Sequence, residues 1–368
     1  ETTYGPNGYN AIPADSYYLH KGVDGKFYIK DNDKYYEILN LERWINGVEP
    51  IKKALDSNEK FVYYALSTSD KKYVKIENVN TTGHKQGLET TYDLNIYNLN
   101  HELVETINMS NISNLIPDLQ KYIDSYTSSS SSYNVTVTPN THIMGSNGDC
   151  IIIFNIYSGS GSHAIFPAWD SSNKVINPNS KSYQIYAVGT YNIYSKKWVV
   201  KPSIDSEDSR RFAEIIKYNL SSSYSFCDRY TRITVNGNDY YVLFSNESVQ
   251  PQEDYIYQWV DGKLKTNCVD EVLTRDYTYS SYGRHYGIAG MLEGYDNIVL
   301  GYYSNHSNVS NGQSAYLGVG QIVGHNSHTK LPSPVTKTED DTMKIEYDYY
   351  IQIPNLLGKN GDHTQMPD

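Results

Sequence analysis

The chain has 368 residues, with 31 Lys and Arg against 42 Asp and Glu, giving a net charge of −11. Its basic residues fall in scattered pairs such as Lys52-Lys53, Lys71-Lys72 and Arg210-Arg211, which excludes the continuous basic stripe of a nucleic-acid binder. No apolar run nears the roughly 18 to 20 residues of a membrane-spanning helix, and Cys150, Cys227 and Cys268 include no CxxC pair, which argues against a zinc ribbon and a dense disulfide framework.

In chain order, turn chemistry sets the pattern. Asn-Gly or Asp-Gly occurs at Asn7, Asp24, Asn46, Asn147, Asn236, Asp261, Asn311 and Asn360, and these dipeptides accept the positive φ angles of tight hairpin turns. Residues 18–23 and 26–30 flank Asp24-Gly25 as a hairpin, and residues 255–260 and 263–266 do so around Asp261-Gly262. The strongest hairpin pairs 231–235 with 239–244 across Asn236-Gly237, because β-branched and aromatic residues alternate with polar ones on both sides. Further strands are expected over 60–65, 73–77, 133–138, 150–157, 183–188, 197–200, 297–303 and 345–353.

Helices are few. Residues 111–126 put Ile112, Leu115, Ile116, Leu119 and Ile123 at helical spacing, residues 205–220 do the same with Phe212, Ile215, Ile216 and Leu220 behind an Asp205 or Ser206 cap, and 49–57 makes a third, shorter helix. The expected fold is mainly β: an antiparallel, hairpin-rich sandwich, jelly roll or propeller with two or three short peripheral helices. Two β-rich domains are expected, 1–126 and 133–368, joined through the serine-rich tract 127–132; a single domain fits the same pattern.

Chemistry-bearing motifs are sparse. There is no P-loop, GxGxxG after a strand, GxSxG elbow or HExxH. His325 and His328, three apart, read as solvated histidines. Asp31-Asn32-Asp33 reads as a turn and not a calcium loop, since the central Gly and distal Glu are missing. Cys150 opens an apolar strand and reads as a small core residue. No cofactor, metal site or catalytic constellation is expected, although the acidic clusters leave room for a glycosidase pair.

One stretch stands out. Residues 276–303 gather rings, glycine and polar groups, and Tyr277, Tyr279, Tyr282, Arg284, His285, Tyr286 and Tyr295, with Trp259 beside them, form the candidate sugar platform; Trp169 and Trp198 are further platforms. Asn-x-Ser/Thr triplets at Asn80, Asn108, Asn111, Asn134, Asn219, Asn246, Asn305 and Asn308 permit glycosylation. A start at Glu1 instead of Met is expected of a processed product.

The 38 Tyr against 7 Phe and 4 Trp suit surfaces that are half buried and half wet. Tyrosine abundance, low charge and sparse motifs together point to a non-enzymatic structural or adhesive protein, extracellular or on a cell or particle surface. Such a chain would self-assemble as a homo-oligomer or polymer: a filament, coat, spike or virion subunit. A carbohydrate-binding module or lectin is the second reading, and a carbohydrate-active enzyme on a β scaffold the third.

Overall fold

The computed structural model describes residues 19–31, 34–39, 51–55, 67–82, 89–110, 115–126, 135–159, 161–221, 231–235, 237–242, 256–265, 269–272, 284–291, 298–305, 315–325 and 343–352. Strands dominate these segments, and almost all pairings are antiparallel. None of the sheets formed by the described residues closes on itself.

The chain opens with a four-stranded meander, β1 (Leu19–Lys21), β2 (Phe27–Asp31), β3 (Lys34–Leu39) and β4 (Ile51–Ala54). Asp24-Gly25 turns β1 into β2, with Gly25 at φ 80°. Residues 51–54, expected in a helix, instead pair with β3 from Leu39↔Ile51 to Tyr36↔Ala54. Here a neighbouring strand outweighs the weak helical preference of a short segment.

A second meander follows: β5 (Lys72–Thr82), β6 (Glu89–Asn98) and β7 (Leu103–Met109). On β6 the alternation is nearly strict, Tyr92, Leu94 and Ile96 facing inward. The helix expected over 111–126 is shorter, α1 spanning Leu119–Ser125. Pro117 lies ahead of the Asp118 cap, so the helix starts after it, and the Leu115 and Ile116 side chains reach the core from the preceding turn. Asp118 does not cap its own helix. Its carboxylate accepts Ser203 Oγ (2.7 Å) and the backbone N–H groups of Ile204 (3.1 Å) and Asp205 (2.9 Å).

The central sheet runs β13-β12-β9-β8, from β8 (Thr136–Met144), β9 (Asp149–Tyr157), β12 (Gln184–Asn192) and β13 (Lys197–Val200). β9 carries Cys-Ile-Ile-Ile-Phe, buried on both sides, as a strand with neighbours on each edge and layers on each face requires. Cys150 is free and fully buried, and burial pushes its thiol well above the usual range, so it packs as a small core residue. β10 (Phe166–Asp170) and β11 (Val175–Ser182) form a separate ribbon.

One apolar cluster takes Tyr92, Leu94 and Ile96 from β6, Ile107 and Met109 from β7, Leu119 and Ile123 from α1, Ile152, Phe154 and Ile156 from β9, and Ile185 and Ala187 from β12. Strands on both sides of 127–132 therefore share a core; 127–132 itself lies outside the described residues.

Helix α2 (Glu207–Ser221) covers the other face of β12. Ser206 Oγ accepts the Ser209 N–H (3.2 Å), with Glu207 and Asp208 in the first turn, where the helix dipole favours carboxylates. Ser209 Oγ exchanges hydrogen bonds with the backbone N–H and C=O of Val188, and Phe212, Ala213, Ile215 and Ile216 are buried. The sheet β14-β15-β16-β17 follows, from β14 (Thr231–Val235), β15 (Asn238–Val242), β16 (Ile256–Val260) and β17 (Lys263–Lys265). Both hairpins expected there form, with Val235↔Asn238 and Val260↔Lys263 closing them.

The last sheet is β18-β22-β21-β20-β19, from β18 (Val269–Val272), β19 (Arg284–Met291), β20 (Ile298–Asn305), β21 (Ala315–His325) and β22 (Met343–Gln352). β18 pairs with β22 in parallel, which departs from the all-antiparallel expectation. A parallel pair needs a long crossover, and the whole β19–β21 meander supplies it.

Candidate functional site

The sequence-derived platform is only partly described. Tyr277, Tyr279, Tyr282 and Tyr295 lie outside the described residues. Arg284, His285 and Tyr286 open β19, in register with Asn305, Ser304 and Tyr303 of β20. β19 runs close to β14.

Trp259 is buried at 9% exposure. Its indole stacks on Phe212 of α2 (centroids 5.1 Å, 27° between planes), and its Nε1–H donates to Thr190 Oγ1 at 3.0 Å. It is thus a wall residue instead of an open platform. Trp198 likewise packs on Phe154 and Tyr191, while Trp169 is half-buried on β10.

Trp259 nevertheless borders a cleft of about 220 Å³ between the central sheet and the β14–β17 sheet. Thr190, Ile151, Tyr241 and Trp259 line it beside Val199 and Val200 of β13, with Asn147, Asn238, Gln258, Val260 and Asp261 around them. Three Asx-Gly turns meet here, through Asn147, Gly237 and Asp261. Their glycines have φ values of 92°, 79° and 76°, and Asp261 has φ 51°, the double left-handed geometry of a two-residue hairpin. Gly148 is also required by space, because a Cβ there would sit 2.4 Å from the Tyr194 ring.

The cleft is held by polar bonds between its walls. Asp239 accepts Thr234 Oγ1 (2.7 Å) and the Ser146 N–H (2.9 Å), and its Oδ1 lies 3.6 Å from Arg232 Nε. Arg232 spends its other nitrogens on the carbonyls of Met144 (2.8 Å) and Ser67 (2.6 Å). Asp149 accepts the side-chain amides of Asn192 (2.9 Å) and Asn147 (3.2 Å). Burial pushes the Tyr241 phenol far above its usual value, so it stays neutral. The side chains of Gln258, Asn238 and Asp261, by contrast, have no hydrogen bond or ion pair among the described residues.

Sequence reasoning missed this cleft. Asn147, Asn236 and Asp261 were legible as turns, but nothing local says that turns about 90 and 25 residues apart meet at one place. Of the glycosylation triplets, Asn80 on β5 and Asn108 on β7 are exposed, Asn219 and Asn305 are described by backbone alone, and Asn111, Asn134, Asn246 and Asn308 lie outside the described residues.

No protein-family model matches the chain, and no curated protein matches it. Among solved structures, a Synechocystis ACO mutant aligns over 93% of this chain and 75% of its own, with 9% identity and a TM-score of 0.24. That overlap is too low to carry any argument about fold or function. No helix among the described residues is long and apolar enough to cross a membrane.

Proposed function

We propose that this chain is a non-enzymatic structural or adhesive protein of a cell or particle surface that associates with copies of itself through exposed sheet edges. One observation carries the reading. Leu103 and Val104, adjacent on β7, are 55% and 52% exposed, and among the described residues no strand pairs with the outer side of β7. The register with β6 shifts here, Ile96 pairing with Glu105 and Tyr97 with Leu103, so Val104 is an extra residue that sets a second exposed apolar side chain beside Leu103 on this edge. An apolar, unpaired edge invites pairing with another chain.

The tyrosines Tyr183 and Tyr194 are also exposed, and rings of this kind are enriched at protein contacts. The finer architecture in this reading is a two-layer packing of the β5–β7 sheet on the central sheet. Against catalysis at the cleft, the carboxylates of Asp149 and Asp239 already serve structural hydrogen bonds.

The test is sedimentation velocity on the wild type and a Leu103→Lys, Val104→Lys double variant. Self-association in the wild type, lost in the variant with an unchanged melting temperature, supports the reading. Equal association in both would place the contact elsewhere.

A further inference from the structure

We infer that the cleft between β13 and the β14–β15 and β16–β17 hairpins is a binding site for a neutral, hydroxyl-rich ligand, the terminal sugar ring of a glycan. This goes beyond self-association and concerns a different surface.

Three features of the cleft select that chemistry. First, its unused polar groups are mixed: the carboxamides of Gln258 and Asn238 each donate and accept, and the Asp261 carboxylate accepts. Hydroxyls on adjacent ring carbons offer the same mixture, and carboxylate with carboxamide serves a pair of them together. Second, among the described residues no Lys, Arg or His lines the cleft. The nearby Arg232 is occupied by Asp239 and two carbonyls. An acidic sugar or a phosphate would find acceptors where it needs donors. Third, Val199 and Val260, 49% and 42% exposed, offer apolar surface beside those polar groups, as the C–H face of a sugar ring requires.

The site is also built in advance. Trp259 is fixed by the Phe212 stack and the Thr190 hydrogen bond, and Asp261 and Gly262 are set by the two-residue turn, with Gly262 close against Val200. Ligand binding therefore does not have to order a loop. With few contacts in about 220 Å³, one ring fits and the affinity is modest, on the order of 0.1–1 mM.

The experiment is a glycan array carrying neutral and sialylated oligosaccharides. It is followed by NMR titration of the full chain with the methyl glycoside of the best neutral hit, and with an oligolysine peptide as the opposing probe. Gln258→Ala is expected to weaken the glycoside roughly tenfold, and Asp261→Asn, which tolerates the same φ, to weaken it several-fold. Asn238→Ala, at an exposed position on the cleft rim, serves as the second variant should Gln258→Ala fail to fold. Melting temperatures and self-association are expected to stay at wild-type values in all folded variants. An empty array, binding confined to sialylated glycans or to oligolysine, or glycoside binding that none of the folded variants weakens would each overturn the assignment.

Discussion

The shared core and the cleft lie on opposite faces of the same strands, and an unmet polar group has a different consequence in each. In the core, Tyr92 and Phe154 meet edge to face (6.4 Å, 65°), and the tilted Phe154–Trp198 pair (6.0 Å) adjoins them. His142 is 1% exposed there, and neither ring nitrogen finds a partner in good geometry. In the cleft, Asp149, Asp239 and Arg232 are engaged in hydrogen bonds or ion pairs while Gln258, Asn238 and Asp261 are left over. An unmet polar group costs most where water cannot reach it and little at an open rim. The buried His142 is thus a cost that the apolar packing around it must outweigh, whereas the cleft keeps spare hydrogen-bonding capacity that a ligand can use.

The largest effect should come from Phe154→Ala. It removes a fully buried ring from the centre of the cluster and should cost about 3–5 kcal/mol in urea unfolding. A loss below about 1 kcal/mol would mean that the two sheets do not share a core.

Next is pH. Burial holds His142 neutral and pulls it down from 6.5 to about 4, only partly offset by the Val74 backbone. The unfolded chain takes up this proton first, so stability is full above pH 6.5, falls as pH drops towards about 4, and then levels off in this contribution. The loss should be about 3 kcal/mol, and His142→Leu should flatten the profile over that window. If the wild-type and variant profiles run parallel between pH 6.5 and 4, the imidazole is not buried as described.

The smallest stability effect is at the cleft wall. Trp259→Phe keeps an aromatic ring against Phe212 but deletes the donor to Thr190, with an expected cost of about 1 kcal/mol by thermal melting. A cost as large as that of Phe154→Ala would make the cleft wall part of the core and erase the contrast.

The same contrast explains what the sequence could disclose. Residues 231–242 and 256–265 were legible because strand alternation and an Asx-Gly turn agree locally. Cys150 to Ile156 was legible as a strand because the run is too apolar and too short for anything else in a β-rich chain. Segment 51–54 was misread because its pairing with Tyr36 to Leu39 decides its state and lies outside any short window. β7 was not anticipated either, since Leu103-Val104-Glu105-Thr106 does not alternate until it reaches Ile107 and Met109.

The candidate site was the least legible part. Trp259 was singled out as an open ring, but Phe212 covers one face, and that contact joins residues 47 apart in sequence. The leftover polar groups, Gln258, Asn238 and Asp261, differ from other surface amides and acids only through the walls around them.

Light scattering of the wild-type chain across micromolar to millimolar concentrations tests the central claim most directly, that this surface is built to touch copies of itself. The account predicts a mass that rises with concentration above 41.9 kDa. A constant mass at the monomer value over the whole range would contradict it.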